Sequence, residues 1–196
     1  MTMRFTLAAA ALLATVVGAQ ALEPAANERE LLQACEARIC TAAVKKDAAG
    51  EALKCDLNKT WTRRVIEAGV SEQKITWGFG DARCSVSVDL QRTEVVDALT
   101  KPAHTITIPA HDVKCEVERE KELMPITLKV APKLQFKDGK LEKAWLNVSS
   151  IEAPTVIKGA IWTAAKLEDN VGLFHGQIIK EVNKFLYEKC PARHGG

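Results

Sequence analysis

Apolar and polar residues alternate along several short segments in the middle of the chain. Between Cys84 and Leu90 every second residue is apolar, and the residues in between are polar or charged. A period of two is typical of a β-strand that buries one face. Similar patterns predict further strands at 53–57, 75–79, 104–108, 113–117, 126–130, 134–136 and 141–151, with a hairpin turn at Asp138–Gly139 before the last of them.

Apolar residues recur at helical spacing near both ends of the chain. The pattern predicts a helix over 27–45 and a long amphipathic helix that begins at Glu168 or Asp169. Shorter helices are predicted over 58–68, 93–99 and 155–166. The predicted fold class is therefore α+β, with N-terminal helices, an antiparallel sheet of about five or six strands, and the long C-terminal helix packed across the sheet.

The first residues have the composition of a secretory signal peptide. Arg4 is the only charge before Glu23, an apolar run extends from Phe5 to Val17, and Ala19-Gln20-Ala21 follows as a small-x-small cleavage site. The run is shorter than the roughly twenty residues that a membrane span needs. We expect residues 1–21 to be removed and the mature chain, 22–196, to be one soluble exported domain without a transmembrane segment. The compact, alanine-rich signal favours a bacterial periplasm; an uncleaved anchor or a buried helix is the alternative.

Size and charge fit one domain and give no sign of a nucleic-acid partner. Without residues 1–21, which contain Arg4, 175 of 196 residues remain, with 26 of the 27 basic side chains and all 25 acidic ones. That length is enough for a substantial core. The chain has no basic block and no aromatic residues interleaved with arginine, so we expect no nucleic acid among its partners. The oligomeric state is left open.

The six cysteines lie in the mature part, and an even number in an exported chain favours disulfides over a metal site. No two of them have the spacing of a zinc knuckle. Cys84 and Cys115 each lie on the apolar face of a predicted strand, which predicts a bond between them in the core. The short loop between Cys40 and Cys55 favours a bond between these two, which leaves Cys35 to pair with Cys190. The alternative exchanges Cys35 and Cys40, which gives Cys35–Cys55 and Cys40–Cys190.

Side chains that could carry catalysis form no recognisable set. No serine lies in the Gly-x-Ser-x-Gly pattern of a nucleophile elbow. The adjacent His111 and Asp112 would point to opposite faces of a strand, which favours a solvated turn. His104 and His111 could approach a metal on neighbouring strands, but a third ligand is not evident. We therefore expect no catalytic residue, no metal and no cofactor.

Four side chains are candidates for ligand binding. His175 and Asn183 lie within or near the apolar stripe of the predicted C-terminal helix, where each would be either a hydrogen-bonded core residue or a polar group that lines a cleft. Trp145 and Trp162 are either core residues or part of a binding surface.

These features lead to a functional hypothesis without a defined chemistry. A curved sheet around one long helix can leave an apolar cleft between them. The first hypothesis is an exported protein that binds an apolar small molecule or lipid there, through His175, Asn183, Trp145 and Trp162. The alternative is a structural or partner-binding envelope protein without a small-molecule ligand, which would use an exposed apolar patch. An enzyme ranks third.

Overall fold

The computed structural model describes residues 22–71, 76–120, 122–159, 161–162 and 175–194. The predicted signal peptide and the predicted start of the C-terminal helix lie outside these ranges. No helix in the described ranges is long and apolar enough to cross a bilayer.

Helices flank a central block of strands, and the predicted α+β class is confirmed. The helices are α1 (Glu28–Lys45), α2 (Arg63–Val70), α3 (Arg92–Thr100), α4 (His175–Lys184) and α5 (Cys190–His194), and a π-helical turn at Phe185–Lys189 joins the last two. Residues 155–159 are also helical. The strands are β1 (Leu53–Trp61), β2 (Ala82–Leu90), β3 (Ala103–Thr107), β4 (His111–Arg119), β5 (Glu122–Val130), β6 (Lys133–Lys137), β7 (Lys140–Trp145) and β8 (Val148–Glu152).

The described strands form the expected antiparallel sheet of five strands and, in addition, a second sheet of three strands that was not expected. One has five strands in the order β1-β2-β4-β5-β8, and the other has three in the order β3-β6-β7. The α4 helix packs against β7, so the C-terminal helix covers the smaller sheet. Its apolar side chains meet Ile106 and Phe136 there.

The predicted long strand over 141–151 is divided between the sheets. Asn147 has a φ of 50°, a left-handed conformation that ends β7 and lets the chain cross to β5 as β8. A bulge also shifts the register of β7, so that Phe136 pairs with Leu141 and Gln135 with Lys143. Because Glu142 is the extra residue, Leu141 and Ala144 are both buried on one face, although simple alternation had put them on opposite faces.

Two further predictions are wrong in their boundaries. The helix predicted over 58–68 begins only at Arg63, because β1 continues to Trp61 and pairs with Ala82. Residues 76–79 form no strand, and Ile75 lies outside the described residues. Trp77 and Phe79 instead pack against the core of the five-stranded sheet, and the Trp77 indole donates a hydrogen bond of 2.8 Å to the Gly80 carbonyl.

One face of the five-stranded sheet carries a core cluster. Strands β2, β4 and β5 contribute its buried residues, and Ile157 of the helical segment at 155–159 covers them and is 0% exposed. A second cluster lies between the smaller sheet, α3 and the C-terminal helix, and a third lies among α1, β1 and α3.

Three disulfides brace these layers. Cys84 and Cys115 face each other across β2 and β4 and are joined, as the strand parity predicts. The preferred partners of the other four cysteines were wrong, and the exchanged set is found: Cys35–Cys55 and Cys40–Cys190. Five residues turn a helix by about 140° beyond a full turn, so Cys35 faces β1 while Cys40 faces α5.

Candidate binding groove

The C-terminal helix uses polar side chains to bind the edge strand of the smaller sheet. The Asn183 carboxamide accepts a hydrogen bond from the Leu141 amide at 2.9 Å and donates one to the Leu141 carbonyl at 3.0 Å. His175 Nδ1 lies 2.9 Å from the Ala144 carbonyl and 3.3 Å from the Ala144 amide. The Tyr187 hydroxyl donates to the Gly139 carbonyl at 2.7 Å. These side chains satisfy backbone groups that an edge strand would otherwise leave unpaired.

The two predicted tryptophans lie in different parts of the fold. Trp145 is half-buried on β7, with its ring centroid 6.2 Å from that of His175 and 5.5 Å from the Lys133 ammonium. Trp162 is 41% exposed and follows Ile161, which packs against the core of the five-stranded sheet. The structure therefore brings His175 and Trp145 together, places Asn183 further along the same helix, and puts Trp162 on the segment that covers the other sheet.

The apolar side of the C-terminal helix is packed. Ile178, Ile179, Val182 and Leu186 contact a buried cluster that includes Phe136. The apolar residues of the helix therefore pack against the smaller sheet.

The other face of the five-stranded sheet is polar and carries an open groove. Two adjoining hollows of about 310 and 360 Å³ share Asn58, Ser85 and Lys114. Strand register explains why these residues meet, because Asn58 pairs with Ser85, Ser85 with Lys114, and Lys114 with Thr127. Side chains directly opposite each other in a sheet project to the same face. One row of amide, hydroxyl and ammonium groups therefore crosses four strands.

Charged residues on either side of this row are mostly engaged with one another. Arg83 and Glu116 form an ion pair at 2.6 Å, and the Ser87 hydroxyl donates to the Asp56 carboxylate at 2.6 Å. Lys129 lies 3.8 Å from Asp112. Within the described part of the chain, the Lys114 ammonium has no ion-pair partner, which leaves a cation at the centre of the groove.

The histidines considered for catalysis or metal binding have ordinary local partners. His104 Nε2 lies 2.9 Å from the Glu94 carboxylate, and His111 Nδ1 lies 2.9 Å from the Pro109 carbonyl. Among the residues that the structure describes, no group of three histidine, cysteine or acidic side chains could hold a metal ion.

Two ionisable groups outside the groove have shifted pKa values. Glu28, at the start of α1, is only 6% exposed and pairs with the Lys59 ammonium at 2.7 Å. Burial acts to raise the pKa of this carboxyl, but the hydrogen bond from Lys59 and the polar groups of Thr60 nearby outweigh it and hold the pKa below the ordinary value of 4.5. Burial raises the pKa of the Tyr187 phenol.

The chain matches no protein-family model, and no curated protein or solved structure is significantly similar to it.

This groove was not predicted from the sequence. Polar residues alternate with apolar ones on β2, β4 and β5, which indicates a solvated face, and Asn58 fell within the helix predicted over 58–68. Only the register between strands brings Asn58, Ser85, Lys114 and Thr127 into one row. The signal that could have found it is a hydrogen-bonding side chain, an amide, hydroxyl or ammonium, at the matching position of each strand.

Proposed function

We propose that the protein is an exported binding protein, and that the polar groove of the five-stranded sheet holds a small ligand with an anionic group. The observation that carries the proposal is Lys114, an exposed cation flanked by Ser85 and Thr127 on the neighbouring strands. An ammonium group binds carboxylate or phosphate, and adjacent hydroxyl and amide groups supply hydrogen bonds that orient such a ligand.

Export is supported by two independent features. The N-terminal residues have the composition of a signal peptide. The three disulfides suit an extracellular or periplasmic setting, since disulfides persist in oxidising compartments.

The hypothesis of an apolar ligand beneath the C-terminal helix has less support. His175 and Asn183 direct their polar atoms to the backbone of β7, and the apolar side of the helix is packed. The partner-binding alternative has one observation in its favour: Val65, Val156 and Trp162 are exposed on segments that cover the five-stranded sheet. Scattered apolar residues of this kind are ordinary on a protein surface, so the groove remains the better-supported site.

Native mass spectrometry of protein purified from its own compartment tests the proposal. The wild-type protein is expected to carry extra mass that is lost on denaturation. Lys114→Gln is expected to weaken ligand binding about tenfold or more and therefore to lower the occupied fraction, because a hydrogen bond to a charged group contributes about 1.5–3 kcal/mol.

Lys54→Gln is the matched control, since it removes an equal charge from β1 on the same face and should retain the ligand. A bare wild-type mass, or equal occupancy in Lys114→Gln, would contradict the proposal. An apolar ligand retained by Lys114→Gln would instead favour the site beneath the C-terminal helix.

A further inference from the structure

The outer face of the three-stranded sheet is exposed and rich in lysine. Register places Thr105 opposite Gln135, Lys133 opposite Trp145, and Lys137 opposite Lys140. Residues on this face alternate with the buried residues Ile106 and Phe136, so their side chains project away from the core. The face consists of Ala103, Thr105, Thr107, Lys133, Gln135, Lys137, Lys140, Lys143 and Trp145, and we call it the lysine face.

Charge is concentrated on this hairpin. Residues 133–145 contain four lysines against Asp138 and Glu142, a net charge of +2, which equals that of the whole 196-residue chain. None of these lysines forms an ion pair with any residue in the described ranges. The Lys133 ammonium instead lies over the Trp145 ring.

One pair on the lysine face is unfavourable for the isolated protein. Lys137 and Lys140 are direct cross-strand neighbours, and like charges in that position repel each other. An anionic partner would relieve this repulsion. The lysine face therefore has the charge arrangement of a docking surface.

We propose that the lysine face docks on an anionic phospholipid surface. The other side of this sheet is buried in the core, so the lysine face is the open side. An open sheet face suits contact with a flat surface, whereas a linear polyanion would be held better in a groove. Lysine near an anionic membrane gains electrostatic attraction, and tryptophan at the rim of such a face suits the interfacial region. Thr105, Thr107 and Gln135 add hydrogen-bonding groups for phosphate oxygens.

Vesicle co-sedimentation tests this proposal. The probe is a vesicle of equal parts phosphatidylglycerol and phosphatidylcholine, compared with pure phosphatidylcholine at low and high salt. Wild-type protein is expected to bind the anionic vesicles at low salt and to be released at high salt. The double variant Lys137→Gln/Lys140→Gln is expected to bind roughly tenfold to thirtyfold more weakly.

The double variant should fold normally, because both lysines are exposed and their mutual repulsion is removed, and an unfolding curve checks this. Lys45→Gln/Lys54→Gln is the matched control, since it removes the same charge from α1 and β1 and should bind vesicles as the wild type does. Equal binding by the lysine-face variant, or no preference for anionic vesicles, would overturn the proposal. Binding to polyphosphate without binding to vesicles would also overturn it. Neither result depends on a ligand in the groove.

Discussion

Asn183 on the C-terminal helix satisfies both backbone hydrogen-bonding groups of Leu141 on the edge strand of the smaller sheet. The two hydrogen bonds are 2.9 and 3.0 Å long and join residues 42 positions apart. Leu141 itself is 2% exposed and lies in the cluster beneath the helix. A single carboxamide thus takes the place of a neighbouring strand and fixes how the helix sits on the sheet.

Removing this carboxamide should destabilise the protein. Asn183→Ala leaves the amide and carbonyl of Leu141 without their partners at a half-buried position. We expect a loss of about 1–3 kcal/mol in the free energy of unfolding, measured by urea denaturation. Gln177→Ala, at an exposed position of the same helix, should change stability by less than about 0.5 kcal/mol. If the two variants are equally stable, Asn183 does not hold the helix on the sheet.

Gly139 should tolerate no side chain. Its φ is +81°, and an added Cβ would lie 2.7 Å from the Tyr187 hydroxyl and 3.3 Å from the Leu99 carbonyl. Gly139→Ala is therefore expected to lower the melting temperature, with a loss of about 1–2 kcal/mol. Gly69→Ala is the control, because a Cβ there meets no atom within 4 Å and alanine favours the helix. The opposite order of melting temperatures would contradict the turn geometry.

The two disulfides that involve α1 should differ in their effect on stability. Cys40–Cys190 closes a separation of 150 residues, whereas Cys35–Cys55 closes one of 20. On the chain-entropy account, removing the longer link as Cys40→Ser/Cys190→Ser costs about 2 kcal/mol more than Cys35→Ser/Cys55→Ser. Chemical denaturation of the two double variants measures this difference. Similar losses would show that strain or residual structure outweighs loop entropy.

Peptide mapping without reduction checks the pairing itself. A peptide that joins Cys35 to Cys55 and another that joins Cys40 to Cys190 are expected. Recovery of Cys35 linked to Cys190 would contradict the arrangement of α1 between β1 and α5.

Glu28 should make stability depend on pH at the acid end. Its pKa is lowered in the folded protein, so its contribution is complete above its unfolded pKa, near 4.5, and is lost as the pH falls through the lower folded pKa. Glu28→Gln should therefore be less stable than the wild type at neutral pH, and the difference should shrink below pH 4.5. A stability difference that is constant across this range would show that the Glu28 carboxylate does not act through its charge.

The alternation of apolar and polar residues predicted the strands that follow it without interruption. Alternation located β2, β4 and β5, and the same parity paired Cys84 with Cys115. The division of the sheets was not predictable in this way. It depends on the extra residue Glu142 and on the left-handed turn at Asn147, each of which breaks the period of two.

Features that depend on how elements face each other were also missed. The direction of α1 decides whether Cys35 or Cys40 meets β1, and helical spacing alone leaves that open. His175 and Asn183 were correctly placed on the C-terminal helix, yet only the contact with β7 shows what their polar atoms bind. The strand register places Lys114 beside Ser85, and the residue pattern within a single strand does not predict that register.

The most direct test of the proposed groove is to locate the bound ligand on the protein. Ligand-free, isotope-labelled protein would be titrated with the small-molecule fraction that denaturation releases from the exported protein, and amide shifts would be followed by NMR. We expect the largest shifts at Asn58, Ser85, Lys114 and Thr127, the row that crosses the groove. Shifts confined to β7 and the C-terminal helix would contradict the polar groove and place the ligand in the cleft that the sequence suggested.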